Sequence, residues 1–530
     1  MPQPPAPDTT PRPASQPAAR ARPRLAAAAA GVASALLGAG VAELIAGLLT
    51  PPAGPLAAVG GTLIDLAPPA AKDAAIALFG TADKPALLVL IGIVLLALGA
   101  VAGLLERRRP PLGVLVAALA GIAGAVAGAT RPEATPWWAG PSAVGAIVAV
   151  IALRMLIALL PAPARGTVPA RAGASRRAFL GFAGGAAAAG VLAAALGRIT
   201  EAGARVVTAA RDALRLPAAA RPAPPLPAGA ELGIPGLDPI VTPNADFYRI
   251  DIALFVPRVD PAGWTLRVHG LVEREVELGW DELLSLPLEE HDATLMCVSN
   301  LVGGHLVGSA RWLGWPVREL LARAGPLPEA DMVLSRATDG FSASTPLEAL
   351  TDPERAALIA IGMNGEPLPA EHGFPVRLVV PGLYGYVSAT KWVTELELTR
   401  FDAATAYWTD RGWAERGPVK LMSRIDVPRR QAKLLPGPTT IAGMAWHQHV
   451  GIEAVEVQLD DGPWRRAELS SPINVDSWRQ WTLPWNAVAG EHRVRVRAIS
   501  ASGELQTEAV QGTVPDGATG WHELRFSVAG

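Results

Sequence analysis

At 530 residues, with 18% charged residues and a net charge of −2, the chain lacks the basic excess of a nucleic-acid binder and offers no field for a polyanionic substrate. Its single cysteine, Cys297, excludes an internal disulfide, a Cys-based zinc site, an iron–sulfur cluster built by one chain, and two-cysteine attachment of a c-type haem. The mean hydropathy of +0.28 is high for a soluble protein, and the apolar excess lies in the first two hundred residues.

Residues 1–24, rich in Pro, Ala and Arg, are expected to form a disordered cytoplasmic tail. A membrane region, 25–200, follows, with apolar spans at 25–49, 85–105, 112–130, 139–160 and 178–197. At 1.5 Å per residue, each is long enough to cross a hydrocarbon core of ~30 Å. Their Ala and Gly content suits close helix packing. Arg20, Arg22 and Arg24, then Arg107, Arg108 and Arg109, then Arg165, Arg171, Arg176 and Arg177 all fall on one side of five crossings. That side is expected to be cytoplasmic, which puts everything after about residue 198 outside. Ser175-Arg176-Arg177-Ala178-Phe179-Leu180 resembles a twin-arginine export signal, which would imply a bacterial source and a domain exported already folded; the plainer reading is a pair of positive-inside anchors. No histidine lies in an apolar span, so these helices cannot build a bis-His haem site.

Residues 201–235 read as a Pro/Ala linker. Strand-like runs (Trp264–Val268, Met332–Leu334, Val376–Val380) then alternate with helix-like ones (Trp280–Leu286, Val317–Ala324), predicting an α+β domain over 236–417. From 418 to 530, short alternating segments separated by turn signals such as Asp460-Asp461-Gly462 predict an immunoglobulin-like β-sandwich. The expected fold class is multi-domain: an α-helical transmembrane bundle, an α+β domain and a β-sandwich.

Leu295-Met296-Cys297-Val298-Ser299-Asn300, followed by Gly308-Ser309-Ala310-Arg311-Trp312-Leu313-Gly314, resembles the molybdopterin domain of sulfite oxidases and plant nitrate reductases. The likeness continues through Met363-Asn364-Gly365-Glu366-Pro367, His372-Gly373-Phe374-Pro375-Val376-Arg377, Val380-Pro381-Gly382 and Lys391-Trp392, and the last domain is similar to the family's dimerisation module. The resemblance implies a molybdopterin cofactor whose metal takes Cys297 as its protein ligand; a thiolate is a soft ligand for such a metal. It further implies His372, Arg377 and Lys391 as cofactor contacts, and Asp339 as a pterin contact. Phe247-Tyr248-Arg249 resembles the segment whose arginine lies near the metal, with Phe247 and Tyr248 beside the cofactor and Arg249 able to orient an oxo group.

Three departures from the family pattern bear on the substrate. Asp251 replaces the second residue of an Asn-His pair, Val302 stands where the family carries a second arginine, and Trp413 stands where a tyrosine reaches the metal. Losing a charged hydrogen bond from an anion pocket costs roughly 1.5–3 kcal/mol, which argues against sulfite. The expected function is therefore oxygen-atom transfer on a small substrate, with Arg249 and Trp413 as catalytic residues and electrons exchanged with a separate carrier. Neither haem, flavin nor iron–sulfur cluster is expected in the chain, and its C-terminal domain would form a homodimer. The competing class is a metal-free, membrane-tethered binding or adhesion module that keeps the fold.

Overall fold

A computed structural model of the chain describes residues 18–49, 53–68, 83–131, 134–161, 175–199 and 202–530, with isolated positions between 71 and 79. Most of the expected N-terminal tail, together with Arg165 and Arg171, lies outside the described residues. The chain divides into two compact units, residues 1–65 with 82–202, and residues 66–81 with 203–530.

The first unit is helical: α1 (Ala18–Leu49), α2 (Pro55–Leu66), α3 (Asp83–Arg108), α4 (Leu112–Ala129), α5 (Gly140–Ala158) and α6 (Arg176–Ile199). Among the described residues, five apolar helical segments are long enough to cross a membrane: Pro23–Leu49, Lys84–Arg108, Leu112–Ala129, Pro136–Ala158 and Arg177–Gly197. Residues 18–24, expected to be disordered, extend α1, as their Ala and Arg content permits. The helix α2 was not foreseen; Glu43 Oε1 accepts the Leu56 N–H at 2.9 Å and caps its first turn. Glycines let helices touch backbone to backbone. A Cβ on Gly40 of α1 would lie 1.9 Å from the Gly190 carbonyl oxygen of α6, and one on Gly31 would lie 1.9 Å from that of Gly99 in α3. Ser175 Oγ accepts the Ala178 N–H at 3.2 Å, so the serine that precedes the Arg176-Arg177 pair caps α6.

The 203–530 part of the second unit opens within α7 (Ala202–Ala213), where a linker was expected. Val207 buries, and Arg211 donates to the carbonyls of Leu368 at 2.9 Å and Pro367 at 3.2 Å. The Pro-rich segment beyond is docked rather than free: Ala220 N–H donates to Leu288 O at 2.8 Å, and Leu232 N–H to Gln480 Oε1 at 2.7 Å. Backbone donors that find partners along a segment remove the freedom that its proline content suggests.

Ten strands and three short helices follow. In chain order they are β1 (Thr265–Gly270), β2 (Val276–Gly279), α8 (Trp280–Ser285), β3 (Glu289–Met296), β4 (Val307–Pro316), α9 (Val317–Ala324), β5 (Met332–Ala337), β6 (Ser342–Pro346), α10 (Leu347–Thr351), β7 (Leu358–Met363), β8 (Glu366–Pro367), β9 (Arg377–Val379) and β10 (Val393–Thr399). They form two sheets, ordered β2-β1-β10-β5-β6 and β3-β4-β7-β8, with β9 pairing β7. β1 alternates, with Leu266 and Val268 buried, whereas the end of β3 is buried on successive residues. In α9, Val317, Leu320, Leu321 and Ala324 share the buried face, and Gly325, at φ +70°, closes the helix onto Leu321 O.

The last region has β11 (Met422–Val427), β12 (Lys433–Leu434), β13 (Gly437–Trp446), β14 (Ile452–Leu459), β15 (Arg465–Arg466), β16 (Glu468–Leu469), β17 (Arg479–Ala487), β18 (Gly490–Ser500) and β19 (His522–Val528). Sheets β11-β13-β17-β16 and β12-β19-β18-β14-β15 share one buried cluster. One sheet contributes Ile441, Trp481 and Leu483 to it, and the other Val455, Val494 and Phe526. Trp478, by contrast, packs into the core of the preceding region and donates to Ile240 O at 2.7 Å, joining the two regions.

Candidate active site

The chain's only thiol sits where β3 ends. The Cys297 N–H donates to Leu306 O at 2.9 Å, and Asn300 N–H to Cys297 O at 3.0 Å, closing a turn just after the strand. Asn300 is buried, and its Oδ1 accepts the Leu306 N–H at 2.8 Å. From the last region, Arg424 donates to Gly304 O at 2.9 Å while pairing with Asp426 and Asp238, each at 2.6 Å. A fully buried arginine thus props the loop that carries Cys297.

Cys297 opens onto a cavity of about 110 Å³ whose walls include Phe247, Tyr248, Asp339, His372, Arg377, Lys391 and Trp413. A water needs ~10–15 Å³ by this measure, so the space suits a larger ligand. Sequence positions 166 residues apart meet here because separate devices fix each segment. The Asn364-Gly365 turn, with φ values of +53° and +80°, joins β7 to β8. Asn364 Nδ2 donates to Thr242 O at 2.9 Å and Asn244 Oδ1 at 2.8 Å, which anchors the segment leading into Phe247. Gly308 in β4 makes room for that ring, since a Cβ there would lie 2.9 Å from it. Gly373, at φ +111°, lies under Arg377 and Lys391, whose Cβ atoms would stand 3.0 and 3.2 Å from an added Cβ.

Burial sets the electrostatics. The Arg377 guanidinium donates to three main-chain carbonyls, those of Leu378, His372 and Ala389, at 3.1–3.4 Å, and lies over the Trp312 ring at 5.0 Å. It has no carboxylate partner among the described residues, and burial pulls its pKa down to about 10. Lys391 Nζ donates to Asp251 Oδ2 at 2.6 Å and Glu371 O at 3.0 Å; burial, only partly offset by Asp251, brings its pKa to about 8. His372 is held near pKa 4 by burial and then by Arg377 and Lys391, so it is neutral, with Nε2 3.2 Å from Asn244 O. Burial raises Asp339 to about 6 against the Phe341 N–H that donates to it at 3.0 Å. Burial and the neighbouring Cys297 push the Tyr248 hydroxyl far above its ordinary range.

The sequence-derived candidates fall into two groups. Phe247, Tyr248, Cys297, Asp339, His372, Arg377, Lys391 and Trp413 line one cavity. Arg249 is absent from its lining; Nε lies 2.9 Å from Asp251 Oδ2, and the side chain is one-third exposed. Asp251, singled out only as a departure from the family pattern, is the carboxylate on which Arg249 and Lys391 converge. Val302 packs against the core and does not line the cavity. Sequence reasoning did not single out the wall made by Ile250, Ile252, Phe341, Tyr386, Ala389 and Trp408. Tyr386 was the one within reach, because Gly382-Leu383-Tyr384-Gly385-Tyr386 lies between two matched motifs.

The donor set fits a molybdopterin. Among the described residues no three His, Cys, Asp or Glu side chains gather to hold a metal, so a metal at Cys297 would take further ligands from a bound group or solvent, as a molybdopterin provides. Arg377, buried without a counter-charge, suits an anionic part of such a group.

Residues 253–408 match the family described as oxidoreductase molybdopterin binding domain. The match takes in Cys297, Asp339, His372, Arg377 and Lys391, but not Phe247, Tyr248, Arg249 or Trp413. The chain is 29% identical over 343 residues to mitochondrial sulfite oxidase of Macaca fascicularis, covering 54% of this chain and 62% of that one. It is 30% identical over 318 residues to the Homo sapiens protein of the same name, covering 51% and 58%. It thus spans about three fifths of the length of these curated relatives. The crystal structure of the sulfane dehydrogenase SoxCD from Paracoccus pantotrophus aligns at 25% identity with a TM-score of 0.45, over 50% of this chain and 74% of that one.

Proposed function

Starting from a chain that belongs to the sulfite oxidase family of molybdopterin oxidoreductases, we propose that it is a membrane-anchored molybdenum-cofactor enzyme. The observation that carries this reading is one cavity lined by both the chain's single thiol and a buried guanidinium whose hydrogen bonds, among the described residues, go to main-chain carbonyls. Cys297 would ligate the metal, Arg377 and Lys391 would hold the anionic parts of the pterin, and Asp339 and neutral His372 would contact its polar edges. When bound, the cofactor supplies a metal that changes oxidation state and moves an oxygen atom to or from a small substrate. The chain's own part is to bind, orient and exclude water: Phe247 and Tyr248 wall the cavity, and Asp251, also in the wall, pairs with Arg249 and Lys391.

Electrons would pass to a separate carrier, and the two-sheet region at 418–530, read as an immunoglobulin-like sandwich, would form a homodimer. Arg107 and Arg108 at the end of α3 and Arg177 at the start of α6 support a cytoplasmic N-terminus with residues 203–530 outside. Sulfite is disfavoured as substrate, because neither Val302 nor Trp413 supplies the cation or phenol of an anion pocket.

The deciding measurement is molybdenum by mass spectrometry on the full chain, purified in detergent from a host that makes the pterin, beside Cys297→Ser. Near-stoichiometric metal in the parent and altered metal-centre spectra in the variant are expected. A folded, metal-free parent would overturn the enzyme reading in favour of a binding module.

A further inference from the structure

The helical unit holds a cavity of its own, about 250 Å³ in volume and lined by α1, α2, α3, α4 and α5. Helices beside it are in close contact. An added Cβ on Gly38 of α1 would lie 2.5 Å from Gly145 O, and one on Gly121 of α4 would lie 2.2 Å from Ala146 Cβ. The space is left by small side chains, among them Ala39, Ala120 and Ala149, where larger ones would close it. An apolar cavity of ~150 Å³ accommodates a benzene, so this one has room for two fused rings.

The lining describes the occupant. Among the described residues no charged side chain lines the cavity, so the occupant is neutral. Val94 and Leu98 of α3 belong to the lining yet are 49% and 40% exposed, so the space opens on the side of the unit. On the membrane reading that side faces lipid. The Ser34 hydroxyl is spent on Ala30 O at 2.7 Å, whereas Ser142, the third residue of α5 and 4% exposed, has an Oγ without a partner. Away from water an unmade polar group is costly, and it marks a missing partner. A hydroxyl both donates and accepts, so it can meet a carbonyl or a ring hydroxyl. A lipid acyl chain would fill the space and leave Ser142 unmade.

We infer that this cavity binds a lipid-soluble quinone, with the ring among the five helices and an apolar tail leaving past Val94 and Leu98. Ser142 Oγ donates to a carbonyl of the quinone or accepts from a hydroxyl of the quinol. The inference rests on the membrane reading of these helices and, for the choice of a redox-active ring, on the proposed exchange of electrons with a separate carrier. It concerns binding in the helical unit and requires no metal in the other.

The test is calorimetric titration of the full chain in detergent with 2,3-dimethyl-1,4-naphthoquinone and with 2,3-dimethylnaphthalene, the same rings without carbonyls. The two methyl groups block the ring positions to which the Cys297 thiol could add. The parent should bind the quinone about three- to tenfold more tightly than the hydrocarbon, the worth of one neutral hydrogen bond. Ser142→Ala should remove that preference and leave hydrocarbon binding unmoved. Ala120→Phe, which fills the space, should weaken both at least tenfold. A parent that takes neither ligand or ranks them equally, or a folded variant of either kind with undiminished quinone affinity, overturns this inference. Should one variant fail to fold, the other still decides. Molybdenum content, measured on the same sample, separates the readings: a metal-free chain that binds the quinone overturns the cofactor reading alone, and a loaded chain that does not bind it overturns this inference alone. A chain released from membranes by alkaline carbonate overturns the membrane reading and this inference with it.

Discussion

In the N-terminal unit, helices meet backbone to backbone, with Gly31 against Gly99 and Gly40 against Gly190. In the unit formed by residues 66–81 and 203–530, side chains do the packing: Trp312, Trp392, Trp446 and Trp481 are fully buried, and charged groups such as Arg424 and Asp426 are buried beside them. The difference follows from what each kind of surface can gain. On the proposed membrane reading the apolar helices lie in apolar surroundings and gain little from burial, so close approach and dispersion would hold them together. Where water is the alternative, burying aromatic area is favourable, but each polar group taken inside needs a partner. One unit is therefore vulnerable to an added methyl group, and the other to a removed charge.

The largest effect is expected from that second weakness. Asp251→Asn leaves Lys391 buried without its counter-charge and should cost about 3–5 kcal/mol in the denaturation midpoint of the full chain. Adding Lys391→Met to it should recover part of the loss, which a double-mutant cycle would measure.

Acid probes the same weakness without mutation. His372 and His522 are both held to a pKa of about 4, first by burial and then by Arg377 and by Arg424 respectively. The unfolded chain takes up these protons near pH 6.5, so the stabilisation is full above that pH and is lost as pH falls through about 4. At ~1.4 kcal/mol per pH unit, each histidine contributes at most about 3 kcal/mol. Thermal midpoints that stay flat from pH 7 to 4 would sink this assignment.

For the first unit, Gly40→Val should push α1 from α6 at a cost of about 1–3 kcal/mol, read from the loss of helical ellipticity on heating in detergent. Gly184→Val, with nothing within 4 Å of its added Cβ, should leave the midpoint unmoved. Equal responses from the two glycines would break the comparison. The smallest effect belongs to the surface of the second unit: Glu282→Gln removes a half-exposed pair with Arg323 at 2.7 Å and should change stability by less than about 1 kcal/mol.

Much of the site was legible because its chemistry is local to motifs. Cys297, His372, Arg377 and Lys391 each stand in a short run whose turn or strand the sequence also announces, such as Asn364-Gly365 between β7 and β8. Arg249 was legible as a cation but not in its placement, because its neighbour two residues on binds it away from the cavity lining. The aromatic wall was not legible. Trp413 was singled out, but its partners Tyr386 and Trp408 are ordinary core aromatics until the rings are seen to line one space.

By itself, the sequence determined where apolar runs are long enough to cross a membrane, where strands give way to turns, and which residue could offer a thiolate. These follow from composition, period and residue chemistry, which act over a few neighbours. Only the tertiary structure decided that the Pro-rich segment docks, that α7 forms where a linker was expected, that Asp251 collects two cations, and that the Trp413 indole N–H finds no partner among the described residues. Each of these depends on groups far apart in the chain competing for one buried place, and burial decides which of them are left with a partner.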